Sequence, residues 1–169
     1  SPLRIVLAAG DDSSETLYAA AGGDVFLRLS GEFPATDPAN TLSVNSVTAG
    51  GDVQITLDQA TDSTYDFGLV EAGGDVRLLF PILSSTARVN VRGITDVLGT
   101  GHLDVLTTGN TDLTEFAGDL RAGSIISTTG DVTLTAPGAI VDALDDTTAD
   151  VIGGNVTLLA RTGGIGSAD

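Results

Sequence analysis

Aspartate is the residue best placed to do chemistry in this chain. Of 23 acidic residues 19 are Asp, against seven Arg and no Lys. Six polar residues recur in one setting, after a glycine and before an apolar alternation. They are Asp24 in AGGDVFLRL, Asp52 in AGGDVQITL, Asp75 in AGGDVRLLF, His102 in GTGHLDVLT, Asp131 in TTGDVTLTA and Asn155 in IGGNVTLLA. Stacked in register, such carboxylates could share hard cations, because calcium is bound by arrays of oxygen ligands. The same oxygens could instead cap the glycine turns by accepting backbone N–H groups. Like charges about 4.8 Å apart repel by about 1 kcal/mol in a water-like dielectric, which an exposed column bears without a metal. His102 and Asn155 also interrupt the carboxylate series, so the pattern favours capping.

Acidic loops form a second group. DDSSE carries Asp11 and Asp12, TDSTYD carries Asp62, and DALDDTTAD carries Asp142, Asp145, Asp146 and Asp150. Their clustered oxygens make calcium a candidate ligand, best at Asp142, Asp145, Asp146 and Asp150, although the fold requires no cofactor. None has the glycine and terminal glutamate of an EF-hand loop. GGIGSAD puts Asp169 one residue late for the G-G-x-G-x-D calcium repeat. The alternative is a solvated, charged loop.

Signals for catalysis are weak. His102 is the only histidine, there is no cysteine, and no G-x-S-x-G elbow presents a serine nucleophile. A glycosidase needs two carboxylates about 5 Å or about 6.5–9.5 Å apart, but any Asp-rich stack generates such pairs. Gripping a polysaccharide also calls for basic and aromatic residues, and here Lys is absent while two Tyr and five Phe are scattered. Outward Thr133, Thr135 and Thr157 give no flat threonine face, because equivalent sites hold Phe26, Arg28, Gln54 and Arg77. The reading is non-enzymatic.

The elements that position these residues follow from their spacing. The six anchors lie 28, 23, 27, 29 and 24 residues apart, a period in the twenties that marks a solenoid. After each anchor the alternation has period two, as in Val25, Leu27 and Leu29 against Asp24, Phe26 and Arg28, which predicts a half-buried strand. A second strand precedes each glycine corner, in TLSVNSVTA, YDFGLVEA, ITDVLGT, GSIISTT and TADVIG. The glycine pair is expected to supply a positive-φ corner between strands. Short strands and corners repeating in this way describe coils of a parallel β-helix, about six of them. Val25, Val53, Val76, Leu103, Val132 and Val156 are then expected to form one internal ladder. A β-sandwich is the competing fold, but it does not require the anchor to repeat residue for residue. No segment has a capped helical period; DDSSETLYAAA comes nearest.

Composition sets the outer bounds. A chain of 169 residues with 41% hydrophobic content can bury one core, but at 4% aromatics that core is built mainly of Val, Leu, Ile and Ala. Net charge −16 argues against nucleic acid and against an anionic membrane surface. The apolar start SPLRIVLAAG is too short to be a signal or a membrane span. With no Met anywhere, residues 1–169 are expected to be one domain excised from a much longer repetitive protein.

TTGDVTLTAPGAIVDALDD followed by VIGGNVTLLARTGGIGS resembles the coils of large repetitive bacterial surface proteins, the filamentous-haemagglutinin-like adhesins. The similarity is clearest from Gly123 to Ser167 and continues more weakly back to about Gly22. It is carried by solenoid glycines and ladder residues. The Asn-Pro-Asn turn of that family's secretion domain is missing, which suggests an internal shaft segment. The resemblance implies an all-β, single right-handed parallel β-helix acting as a structural shaft or adhesion module. It implies an extracellular, cell-surface location. Expected partners are neighbouring segments of the same long chain and glycans or proteins of a host or cell surface. A polysaccharide-binding or polysaccharide-cleaving β-helix and a calcium-dependent folding module are the alternatives.

Overall fold

The computed structural model describes residues 2–8, 17–30, 41–57, 62–80 and 87–167. Their strands are β1 (Leu3–Ala8), β2 (Tyr18–Ala21), β3 (Val25–Ser30), β4 (Thr41–Ala49), β5 (Val53–Leu57), β6 (Ser63–Ala72), β7 (Val76–Leu79) and β8 (Val89–Val97). They continue as β9 (Leu103–Thr107), β10 (Thr111–Glu115), β11 (Leu120–Ser127), β12 (Val132–Ala136), β13 (Ile140–Asp142), β14 (Val151–Ile152), β15 (Val156–Ala160) and β16 (Ile165–Ser167). No helix occurs among the described residues, and none is long and apolar enough to cross a membrane.

The chain winds as a β-solenoid of about six turns. Successive strands go alternately to two parallel sheets. One has the order β1-β3-β5-β7-β9-β11-β13-β16, with β14 also on β11, and the other β15-β12-β10-β8-β6-β4-β2. Every pairing is parallel, so each residue stacks on its equivalent one coil away. Branched aliphatic side chains suit this geometry because they pack well against like neighbours on a pleated face.

Val25, Val53, Val76 and Leu103 form one buried ladder in the first sheet. Val132 and Val156 do not join it. They lie in the second sheet, on a ladder running Leu42, Tyr65, Val91, Thr111, Val132 and Val156. The coils shorten beyond Leu103: from Leu103 to its partner Ala122 is only 19 residues. The 29-residue interval from His102 to Asp131 therefore covers more than one turn and carries the motif to the other sheet. The core is not purely aliphatic either. Tyr65, Phe67 and Phe80 are fully buried, and the Tyr65 and Phe80 rings stack with centroids 5.3 Å apart. Burial pushes the Tyr65 hydroxyl well above the ordinary tyrosine range, so it stays protonated.

The glycine pairs serve close approach rather than left-handed backbone. Among the described residues the positive-φ glycines are Gly93, Gly99, Gly118 and Gly166, none of them in a double-glycine corner at residues 22–23, 50–51 or 73–74. A Cβ on Gly50 would collide with Gly22 O, and one on Gly73 with Gly50 O. A Cβ on Gly51 or Gly74 would land on the carboxylate of Asp24 or Asp52 in the coil before. Gly73→Ala should therefore destabilise the protein by about 1–3 kcal/mol, as overpacking does. Gly22→Ala should cost far less, since no described atom lies within 4 Å of its Cβ position. Chemical denaturation of the two variants checks this, and equal losses would refute the close-approach account.

Candidate functional site

The anchor residues form polar ladders between coils. Asp24 Oδ1 accepts the N–H of Asp52 at 3.1 Å, Asp52 Oδ1 that of Asp75 at 3.0 Å, and Asp75 Oδ1 that of His102 at 3.2 Å. A second ladder runs along the other sheet. Asn90 Oδ1 accepts from Asn110 N at 2.8 Å, Asn110 Oδ1 from Asp131 N at 3.0 Å, and Asp131 Oδ1 from Asn155 N at 2.9 Å. The six sequence anchors thus fall into two columns, with Asn90 and Asn110 the members that the glycine-based motif missed. Each oxygen caps the turn of the next coil rather than its own. Asp62 to Arg88 N, Asp104 to Ser124 N and Asp119 to Ala139 N repeat the device at 2.8, 2.9 and 2.7 Å.

His102 ends the first ladder inside a charged cluster. Its Nδ1 lies 2.9 Å from Asp75 Oδ1, and its Nε2 lies 3.2 Å from Asp104 Oδ2. Arg77 spans the same two acids, with Nη2 2.6 Å from Asp75 Oδ2 and Nε 3.3 Å from Asp104 Oδ2. A general base needs a ring nitrogen free to face its substrate. Both nitrogens of His102 face carboxylates instead, so the cluster ties two coils together.

The acidic loop leaves the first sheet between β13 and β14, both of which pair with β11. Asp142 Oδ1 accepts from Leu144 N at 2.8 Å and Asp145 N at 2.7 Å, and Asp146 Oδ1 accepts from Thr148 N at 2.5 Å. Asp145 has φ 50°, a left-handed conformation that Asp tolerates in turns. The Asp150 carboxyl is raised by burial first, then by repulsion from Asp142 and Asp146. Among the described residues, no three acidic or histidine side chains converge to hold a metal ion. As placed, Asp142 and Asp146 shape the loop through these backbone bonds. Asp11 and Asp12 lie outside the described residues.

Acids absent from the sequence motif occupy the corner where the coils shorten. Glu115 points inward from β10 and is only 1% exposed. Its carboxyl accepts Thr95 Oγ1 at 2.6 Å and Val97 N at 2.7 Å. Burial pushes it up to about 7; the two hydrogen bonds oppose that rise and Asp96 adds to it. Asp96 is 8% exposed, and burial raises its carboxyl too. Asp96 lines a cleft of about 360 Å³ together with Val97, Leu98, Ala117, Asp119 and Arg121. The one available sequence signal was Glu115 in the inward phase of TDLTE, a strand too polar to read as such.

No family model matches the chain, and no curated protein or solved structure matches it. What is established is the architecture, a repetitive parallel β-solenoid.

Two predictions follow from these bonds. Asp52→Ala should cost about 1–2 kcal/mol by removing a charge-assisted acceptor, whereas Asp52→Asn should keep most of the stability, since an amide oxygen accepts the same N–H. Equal losses in denaturant midpoint would show that Oδ1 is not the cap. Glu115 gives a pH dependence. Its folded value of about 7 exceeds the ordinary 4.5, so the unfolded chain releases that proton first. Stability from this group is complete below pH 4.5 and falls as pH rises to about 7, by about 3 kcal/mol in all. Glu115→Gln should match the wild type at low pH and exceed it at pH ~8 by up to this amount. Parallel denaturation curves at both pH values test it; a constant difference would refute it.

Proposed function

We propose that this chain is a non-enzymatic shaft or adhesion segment of a large secreted bacterial surface protein. The carrying observation is the uniform bonding between coils. The same kind of side-chain oxygen caps the following coil along both sheets, so the molecule invests its polar groups in extending a rod. An acidic, lysine-free composition suits a surface exposed to salt and keeps such rods apart. The engagement of His102 on both sides supports a role without turnover. Partners of a shaft are the neighbouring segments of its own chain and the glycans or proteins its surface meets; its charge disfavours nucleic acid. Calcium is not needed for this reading.

Antibodies raised against the purified solenoid should label intact source cells, and external protease should remove the label. Labelling only after permeabilisation would overturn the proposal.

A further inference from the structure

The cleft between residues 96–99 and 117–121 arises from a mismatch of stacked turns. The chain leaves β8 after Val97 and turns through Gly99, which has φ 65°. One coil later it leaves β10 after Glu115 and turns through Gly118, which has φ 73°. The two turns do not nest, and about 360 Å³ stays open between them. That volume lies within the range of about 300–1,000 Å³ usual for small-ligand sites.

Two groups face this space with bonding capacity in hand. Asp96 is 92% buried by its 8% exposure, yet among the described residues no hydrogen bond or ion pair engages its carboxyl. Its oxygens open onto the cleft, unlike those of Glu115, which are held inside the core. Arg121 donates Nε to Gly101 O at 3.1 Å, while its terminal nitrogens have no partner among the described residues. Asp119 adds an acceptor at the rim, its other oxygen holding Ala139 N. Val97, Leu98 and Ala117 supply an apolar wall.

Acceptor, donor and apolar wall together select the ligand. An anion would meet Asp96 and Asp119, with Glu115 behind them. A bare cation would meet Arg121 and too few carboxylates. A sugar hydroxyl can donate to Asp96 and accept from Arg121, while the C–H face of the ring packs on Leu98 and Ala117. We propose that this corner is a binding site for a neutral saccharide of one or two rings, with Asp96 its central acceptor. The site does not depend on the shaft reading, since a rod or an enzyme could carry it.

The test is a titration of the isotope-labelled chain by amide NMR with cellobiose, lactose, maltose and N,N′-diacetylchitobiose, and separately with calcium chloride. At least one sugar should shift amides of residues 96–99 and 117–121. Asp96→Ala should weaken that sugar about tenfold or more, while its melting midpoint is no lower than the wild type's, since that carboxyl bonds to no other described residue. No shift with any of the four sugars overturns the proposal, as do shifts with calcium alone or shifts unchanged in Asp96→Ala. A clear drop in the midpoint of Asp96→Ala would also overturn it, by showing that Asp96 serves the fold.

Discussion

Everything in this fold depends on bonding one coil to the next at its corners. Along the strands the parallel ladder satisfies backbone N–H and C=O groups automatically. At a corner the chain changes direction and the ladder lapses, yet the next coil lies only about 4.8 Å away. The exposed N–H there must find an acceptor, and a short side chain with an oxygen two bonds from Cβ reaches it. Asp and Asn fit that distance, and Asp24, Asp52, Asp62, Asp75, Asp104, Asp119 and Asp131 all serve in this way. The preceding glycine belongs to the same device. Gly51 and Gly74 leave bare the space that the carboxylates of Asp24 and Asp52 enter. Glycine followed by Asp is thus one joint, half of it on each coil.

That joint was legible in the sequence wherever it was built the same way twice. The strands after Asp24, Asp52 and Asp75 and the first four rungs of the ladder follow from the repeat alone. Legibility failed where the period changed. His102 has no carboxylate to pass the ladder on, and Asp104, two residues later, takes over by capping Ser124. The coils then shorten, and Asp131 resumes the motif in the other sheet. Spacing alone cannot show this, because 29 residues is as plausible for one long coil as for more than one short coil. The glycines misled for a related reason. In sequence, a glycine that avoids a clash and one that needs positive φ look alike, and only the neighbouring coil distinguishes Gly73 from Gly99.

The acidic composition also looks different once the anchor carboxylates have a task. Stacked aspartates repel by about 1 kcal/mol per neighbouring pair when well solvated. A hydrogen bond to a charged acceptor is worth about 1.5–3 kcal/mol, so a capped column can be stable without metal. Arg77 strengthens the balance where Asp75 and Asp104 approach on adjacent coils.

A regular solenoid leaves no room for a site, since identical coils nest and fill the space between them. Room appears where a coil departs from its neighbour, and the departure here has chemical consequences on both sides of one turn. Leu98 N–H reaches back to Ala72 O, while the N–H of Val97 is met by a side chain rather than a carbonyl. Glu115 supplies the missing acceptor from the core side and accepts desolvation to do so. On the outer side the same turns enclose Asp96, whose carboxyl has no such partner among the described residues. The two acids are the inner and outer halves of one mismatch. Glu115 repairs the backbone, and Asp96 keeps its bonding capacity for something outside the chain.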